Sequence, residues 1–202
     1  MKRFLHVGCG HSRIDATTPG FRDGGWEEIR YDIDPACDPD IVGSMTDMSS
    51  VADGSVDALF SSHTIEHLYA HEVPAALAEF ARVIRDDGFC VVTCPDLQSV
   101  CELVANDRLT ETAYESPAGP IAAIDILFGH RTMLAQGRTF MAHRCGFTRK
   151  VLRASLFTSG FASVALMRRA RSFDLWAVAC KSARGGEAMT ALARAHFPAP
   201  RA

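Results

Sequence analysis

Short apolar runs alternate with amphipathic stretches along this chain, and the runs carry the stronger signal. Phe4-Leu5-His6-Val7 predicts a strand buried on both faces, and it stops on Gly8-Cys9-Gly10. An apolar strand that ends in Gly-x-Gly lets backbone approach a ligand closely, because glycine takes positive φ with no Cβ in the way. Residues 28–34 predict a second strand that ends in the carboxylates Asp32 and Asp34. They fall about 20 residues beyond the glycines, where dinucleotide-binding units place a ribose acid. Residues 38–43 read as a short third strand, 56–62 as a fourth, and 89–94 as a further strand buried on both faces. Leu77, Phe80, Val83 and Ile84, set against Glu79, Arg82, Arg85 and Asp86, predict a surface helix over 74–84 that Gly88 stops. Thr148 is placed to cap a helix running to Gly160, with Val151, Leu152 and Leu156 inward. Two last strands, 161–167 and 173–180, pair around an Arg-rich turn. The expected fold is α/β, a Rossmann-like three-layer sandwich whose seven-stranded sheet is mostly parallel with an antiparallel last strand. Little regular helix is expected before Trp26, since Thr18-Pro19-Gly20 and Gly24-Gly25 interrupt that crossover.

From 106 to 146 the pattern loosens around Pro117, Gly119, Pro120, Gly129 and Gly137. Connections of this length inside compact domains are more often functional lids than idle loops, so 106–146 is read as a substrate cover inserted in a domain spanning 1–181. Residues 182–202 are expected to be a flexible tail, or to pack on a second copy in a homodimer. At 202 residues with 48% hydrophobic content the chain suits a single core. A formal net charge of -3 offers no basic field for a phosphate backbone, so no nucleic-acid partner is expected. Seven cysteines without a Cys-x-x-Cys pair imply neither a disulfide framework nor a structural zinc site, which fits a reduced, cytoplasmic protein. No apolar run is long enough to span a bilayer, and Met1-Lys2-Arg3 leaves no room for a signal peptide, so no membrane partner is expected.

The chemistry is expected at the carboxyl ends of the strands, where ligands sit in open α/β sheets, so Ser61, Ser62 and His63 should face the site. Asp32 suits a carboxylate that accepts both hydroxyl protons of a ribose. His63-Thr64-Ile65-Glu66-His67 also matches the inverted zinc-hydrolase motif, with two histidines as ligands and the glutamate as base. That motif needs a third ligand and a hydrolytic cleft, and here it follows a strand of a sheet already carrying a nucleotide signature. Zinc hydrolysis is therefore the lesser alternative, and no metal is expected to be required.

Taken in order, the glycine strand, the Asp32 strand, Gly43 to Met48, the 56–62 strand with His63 to Leu68, and Pro95-Asp96-Leu97 resemble the class I S-adenosylmethionine (SAM)-dependent methyltransferases, specifically the type 11 methyltransferase domain. The resemblance spans residues 3–181. It implies SAM as cofactor and S-adenosylhomocysteine as product. The turn from Gly8, Cys9 and Gly10 to Ser12 would line the methionine moiety, Asp32 would hold the ribose, and Asp47 would accept from the adenine amino group with the Met48 backbone nearby. Ile33 and Ser62 complete the implied cofactor set. Two departures stand out: Ser12 occupies the place of a further glycine, and Asp86-Asp87-Gly88 replaces Pro-Gly-Gly. The implied reaction moves a methyl group to an oxygen or nitrogen of a small-molecule or glycan-type acceptor. His63, at a strand end, and His143, at the end of the cover, are the groups expected beside the nucleophile. A module that binds SAM or a nucleotide without catalysis is the alternative from another class.

Overall fold

Strand β1 (Lys2–Val7) lies between β2 (Trp26–Asp32) and β4 (Val56–Ser62), and that central position explains why Phe4 to Val7 are all buried. The structure, a computed structural model, describes residues 1–116 and 119–199. The remaining strands are β3 (Ile41–Val42), β5 (Ile84–Pro95), β6 (Thr112–Ser116), β7 (Gly119–Ala122), β8 (Ser163–Arg169) and β9 (Asp174–Cys180). Seven of them form one sheet in the order β3-β2-β1-β4-β5-β9-β8. β1 to β5 pair in parallel and β9 runs antiparallel to β5 and to β8. This is the mostly parallel sheet with an antiparallel last strand that the sequence predicts. β6 and β7 pair apart from it as a hairpin.

The period-2 alternation of a strand decides which face each side chain serves. Leu5, Leu59, Cys90 and Val92 point into one core, with Leu77 and Phe80 of helix α2 (Val73–Val83) and Leu152 and Leu156 of α6 (Arg149–Thr158). Their neighbours Phe4, Ala58, Phe60, Phe89 and Val91 point into the other. The second core is aromatic: Phe21, on the four-residue helix α1 (Pro19–Arg22), stacks on Phe4 at 4.3 Å and on Phe89 at 5.9 Å. The crossover before Trp26 thus carries one helical turn and a 3₁₀ turn at Ile14–Ala16. Several local details differ from the sequence expectations. α2 ends at Val83, and β5 begins at Ile84 and runs through Asp86-Asp87-Gly88 with a register shift against β4. Val151 is exposed, because Leu152 and Leu156 already fill the inward face of α6.

Residues 106–146, expected to be a cover, contain the β6-β7 hairpin, α4 (Ala123–Phe128), α5 (Arg131–Ala135) and a 3₁₀ turn at Thr139–Met141, and α3 (Leu97–Ala105), just before them, packs against α4. Val100, Ile121, Ala123 and Ile126 give them a small core of their own. Pro117 and Ala118 lie outside the described residues. The tail expected to be flexible instead contains α7 (Gly186–His196), an Ala-rich segment of high helix propensity. Met189, Leu192 and Phe197 recur at helical spacing and dock on the aromatic core, which is why the segment is ordered.

His196 completes that dock. Its ring is buried between Phe21 and Phe89, and Nδ1 hydrogen-bonds the buried Thr18 hydroxyl at 2.7 Å. Burial depresses its pKa to about 4. The unfolded chain takes the proton near 6.5 and the folded chain does not, so the contribution is full above about pH 6.5 and lost as pH falls through 4. The stake is roughly 3 kcal/mol. Denaturation midpoints measured from pH 8 to 4 should fall more steeply for the wild type than for His196→Phe. Parallel slopes would show that His196 is solvated or protonated in the fold.

Candidate active site

The turn after β1 sets up the cofactor end of the site. Gly8 and Gly10 have φ of +68° and +51°, and the Tyr31 carbonyl accepts the Gly8 and Cys9 N–H groups. The two glycines have different reasons. A Cβ on Gly8 would lie 2.2 Å from Thr64 Cγ2, whereas a Cβ on Gly10 would meet nothing within 4 Å. Gly8 is required by packing, and Gly10 borders an open cradle. Across that cradle the buried Asp32 accepts the Gly10 N–H on Oδ2 at 2.7 Å and the Asp34 N–H on Oδ1 at 2.9 Å. Each carboxylate oxygen keeps a second lone pair for a ribose hydroxyl. A cradle with no Cβ beside a pre-oriented acid fits the SAM nucleoside and methionine moieties.

Other predicted cofactor residues surround this pair. Ile33 is exposed just beyond β2, as an apolar face for a base requires. Asp47 is exposed, with one oxygen accepting the Ser49 N–H, and the Tyr31 hydroxyl pins its loop by donating to the Ser44 and Asp47 carbonyls. Cys9 is buried, and burial pushes its thiol up to about 11, so it is packing and backbone rather than a nucleophile. Ser62 shares a hydrogen bond with Thr93 at the end of β4. Met48 follows Asp47 on the same loop. It is fully buried, and its N–H is donated to Glu79 Oε2 at 2.7 Å, because Glu79 and Arg82 of α2 bond this loop's backbone. No free Met48 donor remains for adenine. Sequence reasoning missed Arg30, a buried guanidinium that donates to the carbonyls of Gly10, Ser12, Cys37 and Asp38. It ties the glycine turn to the loop after β2. No local signal singled it out, because β2 also carries Glu27, Glu28 and Asp32.

A cavity of about 430 Å³ lies beyond the carboxyl ends of β4 and β5, lined by His63, Glu66, His67 and His143 among others. His63 holds φ of +51°, a left-handed conformation uncommon for a side chain, fixed by its N–H bond to the Thr93 carbonyl. Residues 65–67 then form a single 3₁₀ turn. The H-x-x-E-H stretch is therefore not on an α-helix, and His63 and His67 do not present the one-turn spacing that the zinc-hydrolase motif presupposes. Four bonds join this turn to the end of the cover: Arg144 and Cys145 N–H to the Glu66 carbonyl, Cys145 Sγ to the Ile65 carbonyl, and His67 Nδ1 to the Ala142 carbonyl. His143 is fixed in turn, its N–H on the Phe128 carbonyl and its Nδ1 on Ile126 O at 2.7 Å. The structure thus brings the two predicted histidines, His63 and His143, to one cavity, and adds Glu66 and His67.

Glu66 is the unusual member. Its side chain is fully buried, His63 Nδ1 stands 3.4 Å from Oε1 without hydrogen-bond geometry, and both oxygens lack a hydrogen-bond partner among the described residues. Burial opposes its ionisation, but His63, His67 and His143 outweigh burial and hold its carboxyl below the usual range. Burial lowers the pKa of His143. For His63 desolvation works in the same sense and Glu66 overrides it, so that pKa is raised. The outer wall comes from the cover and from the β8-β9 turn. Asp125 is held by Arg131 through Nε at 2.7 Å and by the Ala122 N–H, and Asp174 is paired with Arg169.

Residues 5–92 match the family described as a methyltransferase domain. Solved structures share the fold across most of the chain. The CMeT domain of the citrinin polyketide synthase is 15% identical with a TM-score of 0.57, over 90% of this chain and 46% of that one. A TehB-like SAM-dependent methyltransferase from Corynebacterium glutamicum is 17% identical with a TM-score of 0.53, over 90% and 80%. A SAM-dependent methyltransferase from Archaeoglobus fulgidus is 15% identical with a TM-score of 0.57, over 88% and 85%. This chain thus spans about half the length of the citrinin synthase chain. No curated protein is matched. Among the described residues no helix is long and apolar enough to cross a membrane.

Proposed function

We propose that the chain, whose residues 5–92 match a methyltransferase domain, is a class I SAM-dependent methyltransferase that methylates an oxygen or nitrogen of a small-molecule or glycan-type acceptor held in the His63-His143 cavity. The observation that carries the reading is the pairing of two half-sites on one sheet edge: an open glycine-acid cradle and a cavity with converging polar groups. SAM supplies a methyl group already activated on a sulfonium. Asp32 binds the ribose hydroxyls, Gly10 and Ser12 leave room for the methionine moiety, and Ile33 and Asp47 receive the adenine. Cys9 and Ser62 contribute through the turn and the strand end.

The protein's remaining task is to orient the acceptor and exclude water, and orientation of this kind supplies about 7–11 kcal/mol of a barrier. The cover, residues 106–146, excludes water and presents His143 to the acceptor. His63 takes the acceptor's proton: Glu66 faces Nδ1, which leaves Nε2 for the acceptor, and such proton transfer contributes about 10²–10⁴-fold. The cavity's mixed lining of histidine, carboxylate and arginine suits a polar acceptor rather than an apolar one.

A panel of acceptors scored by release of S-adenosylhomocysteine tests this, with His63→Ala and His143→Ala assayed at saturating SAM. Turnover should fall about 10²-fold or more in His63→Ala. Full turnover and unchanged acceptor KM in both variants would sink the assignment of the cavity. The cofactor half is tested separately: Asp32→Ala should weaken SAM binding in calorimetry by about 1.5–3 kcal/mol, and wild-type affinity there would remove Asp32 from the site.

A further inference from the structure

Glu66 poses a question that the methyl-transfer reading leaves open, because neither oxygen of this fully buried carboxylate has a hydrogen-bond partner among the described residues, His63 standing only at ion-pair distance. His67 and His143 stand beside it with their rings 5.0 Å apart, and one ligand atom from each of the three residues can be chosen so that all lie within 4.8 Å of one another. We infer that Glu66, His67 and His143 bind one divalent transition-metal ion of the zinc class in the acceptor cavity.

The hydrogen bonds around the two rings prepare them for this. Nδ1 of His67 meets the Ala142 carbonyl at 3.1 Å and Nδ1 of His143 meets the Ile126 carbonyl at 2.7 Å. A carbonyl only accepts, so each Nδ1 carries the proton and each Nε2 keeps a lone pair. Metal-ligating histidines are commonly oriented in this way by a carbonyl or carboxylate on the other nitrogen. Ligand atoms around tetrahedral zinc lie about 3.3 Å apart, inside the 4.8 Å within which these three fall, so the cluster draws together on binding. Two imidazoles and one carboxylate select a borderline transition ion over magnesium or calcium, which favour all-oxygen sites. They also leave a fourth position open, the pattern of catalytic rather than structural zinc.

This assignment differs from the hydrolase motif visible in the sequence. There His63 and His67 would be ligands and Glu66 the base; here Glu66 is a ligand and the third donor comes from the far end of the cover. His63, whose Nδ1 stands 3.4 Å from Glu66 Oε1, is not one of the three ligands. Resting on the methyl-transfer reading, the open position takes the acceptor's oxygen and holds it beside His63. The O–H proton then passes to His63, the oxygen pair forms the C–O bond, and the C–S pair returns to sulfur.

The test strips the purified full chain with a chelator and titrates it calorimetrically with Zn²⁺, Co²⁺ and Mg²⁺, each alone. One equivalent of Zn²⁺ should bind, Mg²⁺ should give no heat, and Co²⁺ should show the visible absorption of a tetrahedral site. Glu66→Gln and His143→Ala should each weaken Zn²⁺ by more than about 100-fold, beyond the effect of losing an outer partner. S-adenosylhomocysteine binding reports whether each variant is folded, and His143→Gln replaces His143→Ala if that variant is not. Absence of Zn²⁺ binding in the folded wild type, equal binding of Mg²⁺, or wild-type Zn²⁺ affinity in the folded variants overturns the inference. Stoichiometric Zn²⁺ in a wild-type chain that binds no S-adenosylhomocysteine would sustain the metal site and reject the methyl-transfer reading.

Discussion

Gly8→Ala should destabilise the fold by about 2–5 kcal/mol, while Gly10→Ala, two residues away, should leave most of the stability and remove most of the cofactor affinity. Both positions are left-handed, which costs a side chain about 1–2 kcal/mol. At Gly8 the new methyl also lands 2.2 Å from Thr64 Cγ2 and 2.5 Å from Oγ1, a clash in the packed interior worth a further 1–3 kcal/mol or so. At Gly10 the methyl meets no protein atom and instead occupies the cradle beside Asp32. SAM binding should weaken at least about tenfold, the effect of roughly 1.4 kcal/mol. Denaturant unfolding and calorimetry on the two variants separate the roles. Equal stability losses, or undiminished SAM affinity in Gly10→Ala, would show that the cofactor lies elsewhere.

Glu66→Gln should lower methyl-transfer turnover by about 10²–10⁴-fold and, at neutral pH, make the metal-free chain less stable. The two effects have one cause. His63, His67 and His143 favour the ionised carboxylate in the fold, and the isosteric amide removes that charge while keeping the shape. Its orientation of His63, 3.4 Å away, goes with it. The backbone of residue 66 still accepts the Arg144 and Cys145 N–H groups, so the cover stays anchored. Single-turnover rates on the protein as purified and unfolding midpoints on chelator-treated protein check both halves. Wild-type turnover in Glu66→Gln would remove Glu66 from the reaction, and an unchanged midpoint would show that the histidines do not favour its ionised form.

How much of this was legible beforehand depended on how local each cause is. The sheet's strands were readable because residues such as Phe4 to Val7 and Phe89 to Cys94 must be apolar on both faces wherever a parallel strand is covered twice. The glycine turn and the acid of β2 were readable because conformation at Gly8 and Gly10, and a carboxylate at a strand end, are properties of a few adjacent residues. Other features depend on segments meeting across crossovers. Met48 looked like a loop residue beside adenine, but Glu79 and Arg82 of α2 claim its backbone. The segment 186–196 looked like a tail until Phe21, Phe89 and Thr18 supplied a place for His196. Arg30 is one of four charges in its strand, and only the folded loops give its guanidinium four carbonyls.

The same division runs through the catalytic end. From the sequence alone came the strands along the chain, the carboxyl edge as the expected place of chemistry, and His63 and His143 as candidates, since each follows from residue type and position along the chain. Only the tertiary structure decided what surrounds them. The 3₁₀ turn at 65–67 breaks the helical spacing that the H-x-x-E-H match assumes. The 142–145 segment, held to that turn by backbone hydrogen bonds, delivers His143 to Glu66 and His67. No local pattern encodes that meeting, because it is made by two stretches far apart in the chain whose contact exists only once the cover has packed against the sheet edge.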